Sequence, residues 1–247
     1  MIPRLQWLGI KRFAVYLIQI GVGVLLSHLA FAAPPSHILA TYEVSKSGMQ
    51  VAQLEESYTR SPDGTYQLTS TARPVGLLAM FKPEKIIMRS SGRITQQGLQ
   101  PLIFEYEREK DPARSSRAEF NWDSGEVTLI RQAMRNVQPL PDGTQDRLSV
   151  MYQFIFLNLK YPATLDFPLT NGNSLTQQHY AIAAGEMLTT PAGKFKTLYL
   201  DNQSKAGESR TEIWLATQQH HLPCKMRITD ANRDELIQVL SKLAIEP

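Results

Sequence analysis

The feature that most limits the fold is a two-residue alternation of apolar and polar side chains, interrupted by tight turns. Ala118, Phe120 and Trp122 alternate with Glu119 and Asn121; Asp123-Ser124-Gly125 then turns the chain, and Val127 and Leu129 resume the pattern. Cys224, Met226 and Ile228 alternate with Lys225, Arg227 and Thr229, and Phe104 and Tyr106 with Glu105 and Glu107. Successive strand side chains point to opposite faces, so each run has one face for a core and one for water. Less regular runs of the same kind are expected over 38–46, 49–60, 65–74, 84–95, 176–190, 194–203, 208–217 and 235–245. Turns are expected at Ser47-Gly48, Pro62-Asp63-Gly64, Gln97-Gly98 and Ala192-Gly193. Consecutive short strands with tight turns pair with their chain neighbours. The expected architecture is therefore mainly β, an antiparallel meander forming a strongly curved sheet or open barrel.

One segment departs from the alternation. From Asp146 to Leu159 the apolar positions Leu148, Met151, Tyr152, Ile155, Phe156 and Leu159 follow helical spacing, with Thr144 or Asp146 placed to cap the first turn. Val150, Phe154 and Leu157 make the opposite side apolar as well, and a helix that is apolar all round is expected to be enclosed. The concave face of the curved sheet is its expected place, with Pro162 stopping any continuation. Gln153 is expected at a wetter edge, where truncation is tolerated. A second short apolar helix or loop, Val75 to Phe81, should act as a plug or a lip.

The first thirty-two residues read as an export signal. Arg4, Lys11 and Arg12 precede an uncharged apolar run from Phe13 to Leu29, and Ala30-Phe31-Ala32 offers small residues at the −3 and −1 positions of a cleavage site. The run contains Gln19, Gly21, Gly23 and His28 and falls short of the ~20 apolar residues of a membrane span, so cleavage after Ala32 is expected and no anchor remains. Residues 33–247 then form a single domain in the periplasm. The leader holds three of the 26 Lys+Arg and none of the 23 Asp+Glu, which leaves the mature chain at 23 against 23. A formally neutral chain with interspersed charges has no field to steer it onto nucleic acid or an anionic membrane. Cys224 is the only cysteine, so the fold must hold by packing without an internal disulfide.

No catalytic signature stands out. There is no Gly-x-Ser-x-Gly elbow, no His-Glu-x-x-His, no phosphate-cradling glycine loop and no paired-cysteine metal site, and the chain is expected to need no cofactor or metal. Ser149 is placed to serve the helix end rather than to act as a nucleophile. His220, His221 and Cys224 are metal-ligand types without a fourth partner, at an expected turn followed by a buried cysteine. Arg108, Lys110, Arg114 and Arg117 are interleaved with Glu105, Glu107, Glu109, Asp111 and Glu119, the pattern of a solvated hairpin end with balanced charge.

A family resemblance rests on five motifs in order: Pro74-Val75-Gly76-Leu77 followed by Phe81; Gly98-Leu99-Gln100-Pro101; Asp146-Arg147-Leu148-Ser149 with Tyr152; Thr190-Pro191-Ala192-Gly193 with Phe195; and Ile213-Trp214-Leu215-Ala216 followed by Leu222-Pro223. Over roughly residues 40–245 the chain resembles exported bacterial proteins of the DUF3108 family, a domain of unknown function. Cys224 and Asn232-Arg233 depart from the pattern. The resemblance implies a curved antiparallel β architecture in the cell envelope and supplies no active site. The expected shape is also similar to the half-barrel of the periplasmic lipoprotein carrier.

Together these readings point to a non-enzymatic periplasmic binding or carrier protein. It would hold a lipid or other amphiphile between sheet and helix, with Met151, Tyr152 and Phe156 as ligand-binding residues. A filled core with no cavity is the competing arrangement. The alternative function is an envelope structural or assembly factor that recruits a protein partner at a sheet edge. An envelope hydrolase comes third.

Overall fold

The computed structural model describes residues 34–81, 83–205 and 207–247; the expected leader, residues 1–32, lies outside them. The first half runs β1 (His37–Lys46), β2 (Met49–Arg60), β3 (Thr65–Pro74), α1 (Gly76–Phe81), β4 (Ile86–Thr95), β5 (Gly98–Arg108), β6 (Ser116–Asn121), β7 (Glu126–Arg131) and β8 (Met134–Pro139). The second runs β9 (Gln145–Asp146), α2 (Ser149–Gln153), β10 (Ala163–Thr170), β11 (Leu175–Thr190), β12 (Gly193–Asp201), β13 (Arg210–Ala216), β14 (Leu222–Thr229) and β15 (Glu235–Glu246).

All fifteen strands form one sheet, in the order β8-β7-β6-β5-β4-β3-β2-β1-β15-β14-β13-β12-β11-β10-β9. Two meanders are joined at the middle of the sheet, where β1 pairs antiparallel with β15 from His37↔Glu246 to Lys46↔Leu236. The turns at Ser47-Gly48 and Pro62-Asp63-Gly64 fall where the sequence places them, and the other two lie one residue earlier, at Gln96-Gln97 and Pro191-Ala192. At Ser47-Gly48 both residues take positive φ (51° and 75°), the conformation whose twist matches a two-residue hairpin.

The sheet is open but curls back on itself. Its β9 edge returns to β4 and β5: Gln145 Nε2 donates to the Leu99 carbonyl at 2.8 Å, and Ser90 Oγ donates to Asp146 Oδ2 at 2.6 Å. Ser116 Oγ on β6 likewise reaches the Asn171 carbonyl at 3.1 Å, beyond the end of β10. Side chains, not a backbone ladder, make this contact, so two edges survive: β8, which is exposed, and β9, which is buried.

α2 and the 3-10 turn after it (Phe154–Phe156) divide the interior. Leu148 and Tyr152, four residues apart, join a cluster with Tyr58, Tyr66, Leu68 and Phe104. Val150 and Phe154, also four apart, join a second with Tyr180, Ile182, Leu198, Leu200, Ile213 and Leu215. The segment is thus enclosed on both sides, as its all-round apolarity predicts. A third cluster packs Ala40, Tyr42 and Leu240 against Phe195, Trp214 and Cys224.

Three expectations are corrected. The helix does not run from Asp146 to Leu159. Asp146 is drawn into a short parallel pairing with β10, Thr170↔Asp146, and Leu157 is already extended at φ −95°, ψ 135°. Strands β8, β9 and β10 carry no clean alternation and were not expected. In β10 Pro168 interrupts the run, and β8 is exposed along nearly its whole length. Gln153, finally, is no free edge residue, as the site geometry makes plain. Val75 to Phe81 contains the helix α1, and it is no plug: Leu77, Met80 and Phe81 are 70 %, 76 % and 78 % exposed. Among the described residues no helix is long and apolar enough to cross a membrane.

Candidate functional site

The interior around α2 holds buried polar side chains beside its two apolar clusters. On β2 the inward positions are Glu56, Tyr58 and Arg60, two residues apart, and strand geometry puts all three on one face. Glu56 accepts hydrogen bonds from Ser70 Oγ on β3 (3.0 Å) and from the Tyr152 hydroxyl on α2 (3.1 Å). The Tyr152 ring stacks on Tyr58, centroids 5.6 Å apart. No cation pairs with Glu56 among the described residues, and burial raises its carboxyl to about pKa 7 despite the two donors. Tyr42 and Tyr152 are held well above the usual phenol value, by burial first and then by Glu56.

A second buried carboxylate anchors the start of α2. Asp146 Oδ1 accepts from the backbone N–H of Leu148 and of Ser149, both at 2.8 Å, the role of a helix cap. Its Oδ2 accepts from Ser90 Oγ, which lies 3.0 Å from the Tyr66 hydroxyl. Burial lifts Asp146 to about pKa 6 against these donors. Ser149 serves the helix end as expected: its Oγ accepts from the Asp146 N–H at 2.9 Å. Glu212 on β13 shows the contrast. It is also buried, yet Arg227 donates to both its oxygens at 2.5 and 2.7 Å; burial is the largest single influence, but Arg227, the Tyr199 hydroxyl and Arg210 together outweigh it and hold the carboxyl below the usual range.

Gln153 ties α2 to the β4–β5 turn, accepting from the Leu99 N–H and donating to the Gln97 carbonyl, both at 2.7 Å. Gly98 lies between these contacts at φ +102°, and a Cβ there would come within 2.4 Å of the Gln153 amide. The expectation that Gln153 tolerates truncation therefore fails. Gln153→Ala strands the buried Leu99 amide and is expected to lower stability by about 1–3 kcal/mol, read from the midpoint of urea unfolding.

The three residues singled out for ligand binding occupy different settings. Tyr152 is 1 % exposed and committed to Glu56. Met151 is half-buried between the two interior clusters, and Phe156 is half-buried against the first. Two cavities are lined by other residues. A cavity of about 460 Å³ sits between the chain leaving α2 and strands β11 and β12, with apolar Leu159, Ala184 and Leu198 beside Lys160, Lys196 and His221. A second, about 360 Å³, lies at the β2–β3 turn. The sequence reading missed the first cavity because its wall is β12 and its floor is the chain after the helix. Lys160 beside Pro162 was the available local signal.

His220 and His221 form the expected turn, both at positive φ, and burial followed by His220 lowers the His221 pKa. Cys224 is fully buried beneath Trp214, its thiol raised to about 11 by burial. It therefore presents little thiolate at neutral pH. Among the described residues no group of three or more His, Cys, Asp or Glu side chains is placed to hold a metal ion. Near the β5–β6 connection Arg108 pairs with Glu84, and Arg117 with Glu105 and Glu119, the balanced hairpin end expected of that stretch.

The fold is similar to that of one solved protein, and two others match more weakly. A β-barrel-like protein of domain of unknown function DUF1849 from Brucella abortus superposes with a TM-score of 0.54 at 12 % identity, covering 86 % of this chain and 99 % of its own. A protein described as a lipoprotein, from Parabacteroides distasonis, gives 0.35 at 11 % identity, with 85 % and 96 % covered. One from Bacteroides fragilis, described as exported, gives 0.35 at 10 % identity with the same coverage. No curated protein matches the chain. The family model for "Protein of unknown function (DUF3108)" matches residues 39–235, most of the strands described above, and the chain belongs to that family.

Proposed function

We propose that this protein is a non-enzymatic binding or carrier protein of the cell envelope whose ligand is an amphiphile with an anionic head. The observation that carries this reading is the 460 Å³ cavity, which joins Leu159, Ala184 and Leu198 to Lys160, Lys196 and His221. Its volume lies within the range of small-molecule sites, and its lining combines an apolar wall with a few convergent polar groups. Met151 and Phe156 then act from behind, packing the segment that leads into Leu159. The leader sequence supports the envelope location.

The test is titration of a fluorescent fatty-acyl probe into the mature protein. Saturable binding is expected, weakened by about tenfold in Lys160→Ala/Lys196→Ala through loss of charge-assisted contacts and blocked by Ala184→Trp at the cavity rim. A folded wild type that shows no saturable binding overturns the reading.

A second reading has its own observation. Among the described residues β8 is paired only with β7, and Met134 and Val137, on its opposite faces, are 67 % and 56 % exposed. Such an edge can add a strand from a protein partner. A photo-crosslinker at Val137 should capture one discrete envelope protein in cells if this edge recruits a partner, and none if it does not.

A further inference from the structure

The inward face of β2 ends in an arginine that has no ion-pair partner among the described residues. Arg60 follows Glu56 and Tyr58 on that face and lies opposite Tyr66 in the register with β3. Charged side chains are seldom turned inward unless they are paired. Other inward or half-buried arginines of this chain obey that rule: Arg227 holds Glu212, and Arg108 holds Glu84. Arg60 pairs with no carboxylate among the described residues. Its Nε is buried and has no hydrogen-bond partner.

The unmet donors are concentrated at this point. The Tyr58 hydroxyl, on a residue with 0 % exposure, is also buried without a partner. It lies within electrostatic reach of Arg60, whose charge opposes the rise that burial imposes on the phenol. Arg60 lines the cavity of about 360 Å³ with Ser36, Ser61, Pro62, Gly64 and Ile94. No acidic side chain is in that lining. Three carbonyls there are already engaged: Ser36 O takes the Arg60 N–H at 2.8 Å, Gly64 O the Ile94 N–H at 2.7 Å and Ser61 O the Gly64 N–H at 3.1 Å. Free donors with no acidic neighbour are complementary to a group that only accepts.

We propose that Arg60, backed by the Tyr58 hydroxyl and flanked by Ser36 and Ser61, forms a binding site for a carboxylate or phosphate group at the β2–β3 turn. A guanidinium offers a planar fork of donors that fits either group in two-point contact. The cavity is larger than a single ion requires, and Pro62 and Ile94 give it an apolar side for a short stem attached to the anionic group. The site shares no lining residue with the larger cavity at Leu159 and stands independently of the carrier reading.

The test uses the mature protein, with the guanidinium Nε–H resonance of Arg60 followed by NMR. Inorganic phosphate, acetate and hexanoate are titrated separately. At least one anion is expected to shift and saturate the Arg60 resonance. Phosphate alone would assign a phosphate ligand, and hexanoate binding more tightly than acetate would assign a carboxylate with an apolar stem. Arg60→Gln should weaken binding at least about tenfold, and Arg60→Lys, which keeps the charge but loses the fork, by an intermediate amount. Tyr58→Phe should weaken it less. Binding of the fatty-acyl probe at the other cavity should be unchanged in Arg60→Gln, which separates the two sites. If none of the three anions moves the Arg60 resonance, or if Arg60→Gln binds them as wild type does, the proposal is overturned.

Discussion

Phe154→Ala is expected to lower the unfolding free energy by about 3–5 kcal/mol, the range for deleting a buried aromatic ring and leaving a cavity behind. Phe154 is 1 % exposed and stands with Val150 against Tyr180, Ile182, Leu198, Leu200, Ile213 and Leu215. Those neighbours belong to several hydrogen-bonded strands, which cannot collapse into the space without shifting the sheet. Ile155→Ala and Phe156→Ala should cost clearly less, because both side chains are only half-buried at the margin of the other cluster. Chemical denaturation of the three variants checks the order. Equal and negligible effects would mean that the segment is peripheral to the core.

The second large effect is a dependence on pH that Glu56→Gln removes. A carboxyl whose pKa is raised on folding binds its proton more tightly in the native state, so the native state holds more protons than the unfolded chain between the two values. Stability then falls as pH rises across that window. For Glu56 the window runs from the ordinary value of 4.5 to about 7, and its contribution is fully present only below the lower value. One pKa unit corresponds to about 1.4 kcal/mol, so the wild type should lose about 2–3 kcal/mol relative to Glu56→Gln between pH 5 and pH 8. The glutamine keeps an oxygen to accept from Ser70 while having no proton to lose. Asp146 titrates in the same direction over a window ending near 6, and His221 in the opposite sense, but both are common to the two proteins and cancel in the difference. A pH-independent difference would show that Glu56 is not the buried titrating group.

The neighbouring pair Glu55 and Glu56 shows where legibility stops. In the sequence they are two consecutive acids on an expected strand. In the structure Glu55 is exposed beside Arg73, 3.8 Å away, while Glu56 is enclosed by Ser70 and Tyr152. Alternation says that the two must face opposite ways, but their apolar neighbours on β2 are too irregular to say which one turns inward. The helix shows the same limit. Tyr152 was legible as an enclosed residue, whereas Phe154, assigned to the opposite side, proves the more buried of the phenylalanines because sheet lies on both sides of α2. Arg60 carried no signal at all, since one arginine at the end of a strand reads as solvated.

By itself the sequence determined the strand-and-turn pattern of most of the chain, the apolar segment that the sheet encloses and the cap at its start. These are local properties. Period-two alternation, positive-φ turn residues and an aspartate before a helix act within a few residues of themselves. Tertiary structure alone decided the rest: the pairing of β1 with β15 across two hundred residues, the shortening of the helix when Asp146 bridges to β10, and the return of the β9 edge to Ser90 and Leu99. It also left two carboxylates and an arginine inside with no opposite charge paired to them among the described residues. Burial and ionic pairing depend on which distant strand arrives beside a residue, and that arrangement is set by the closure of the whole sheet rather than by neighbours in the chain.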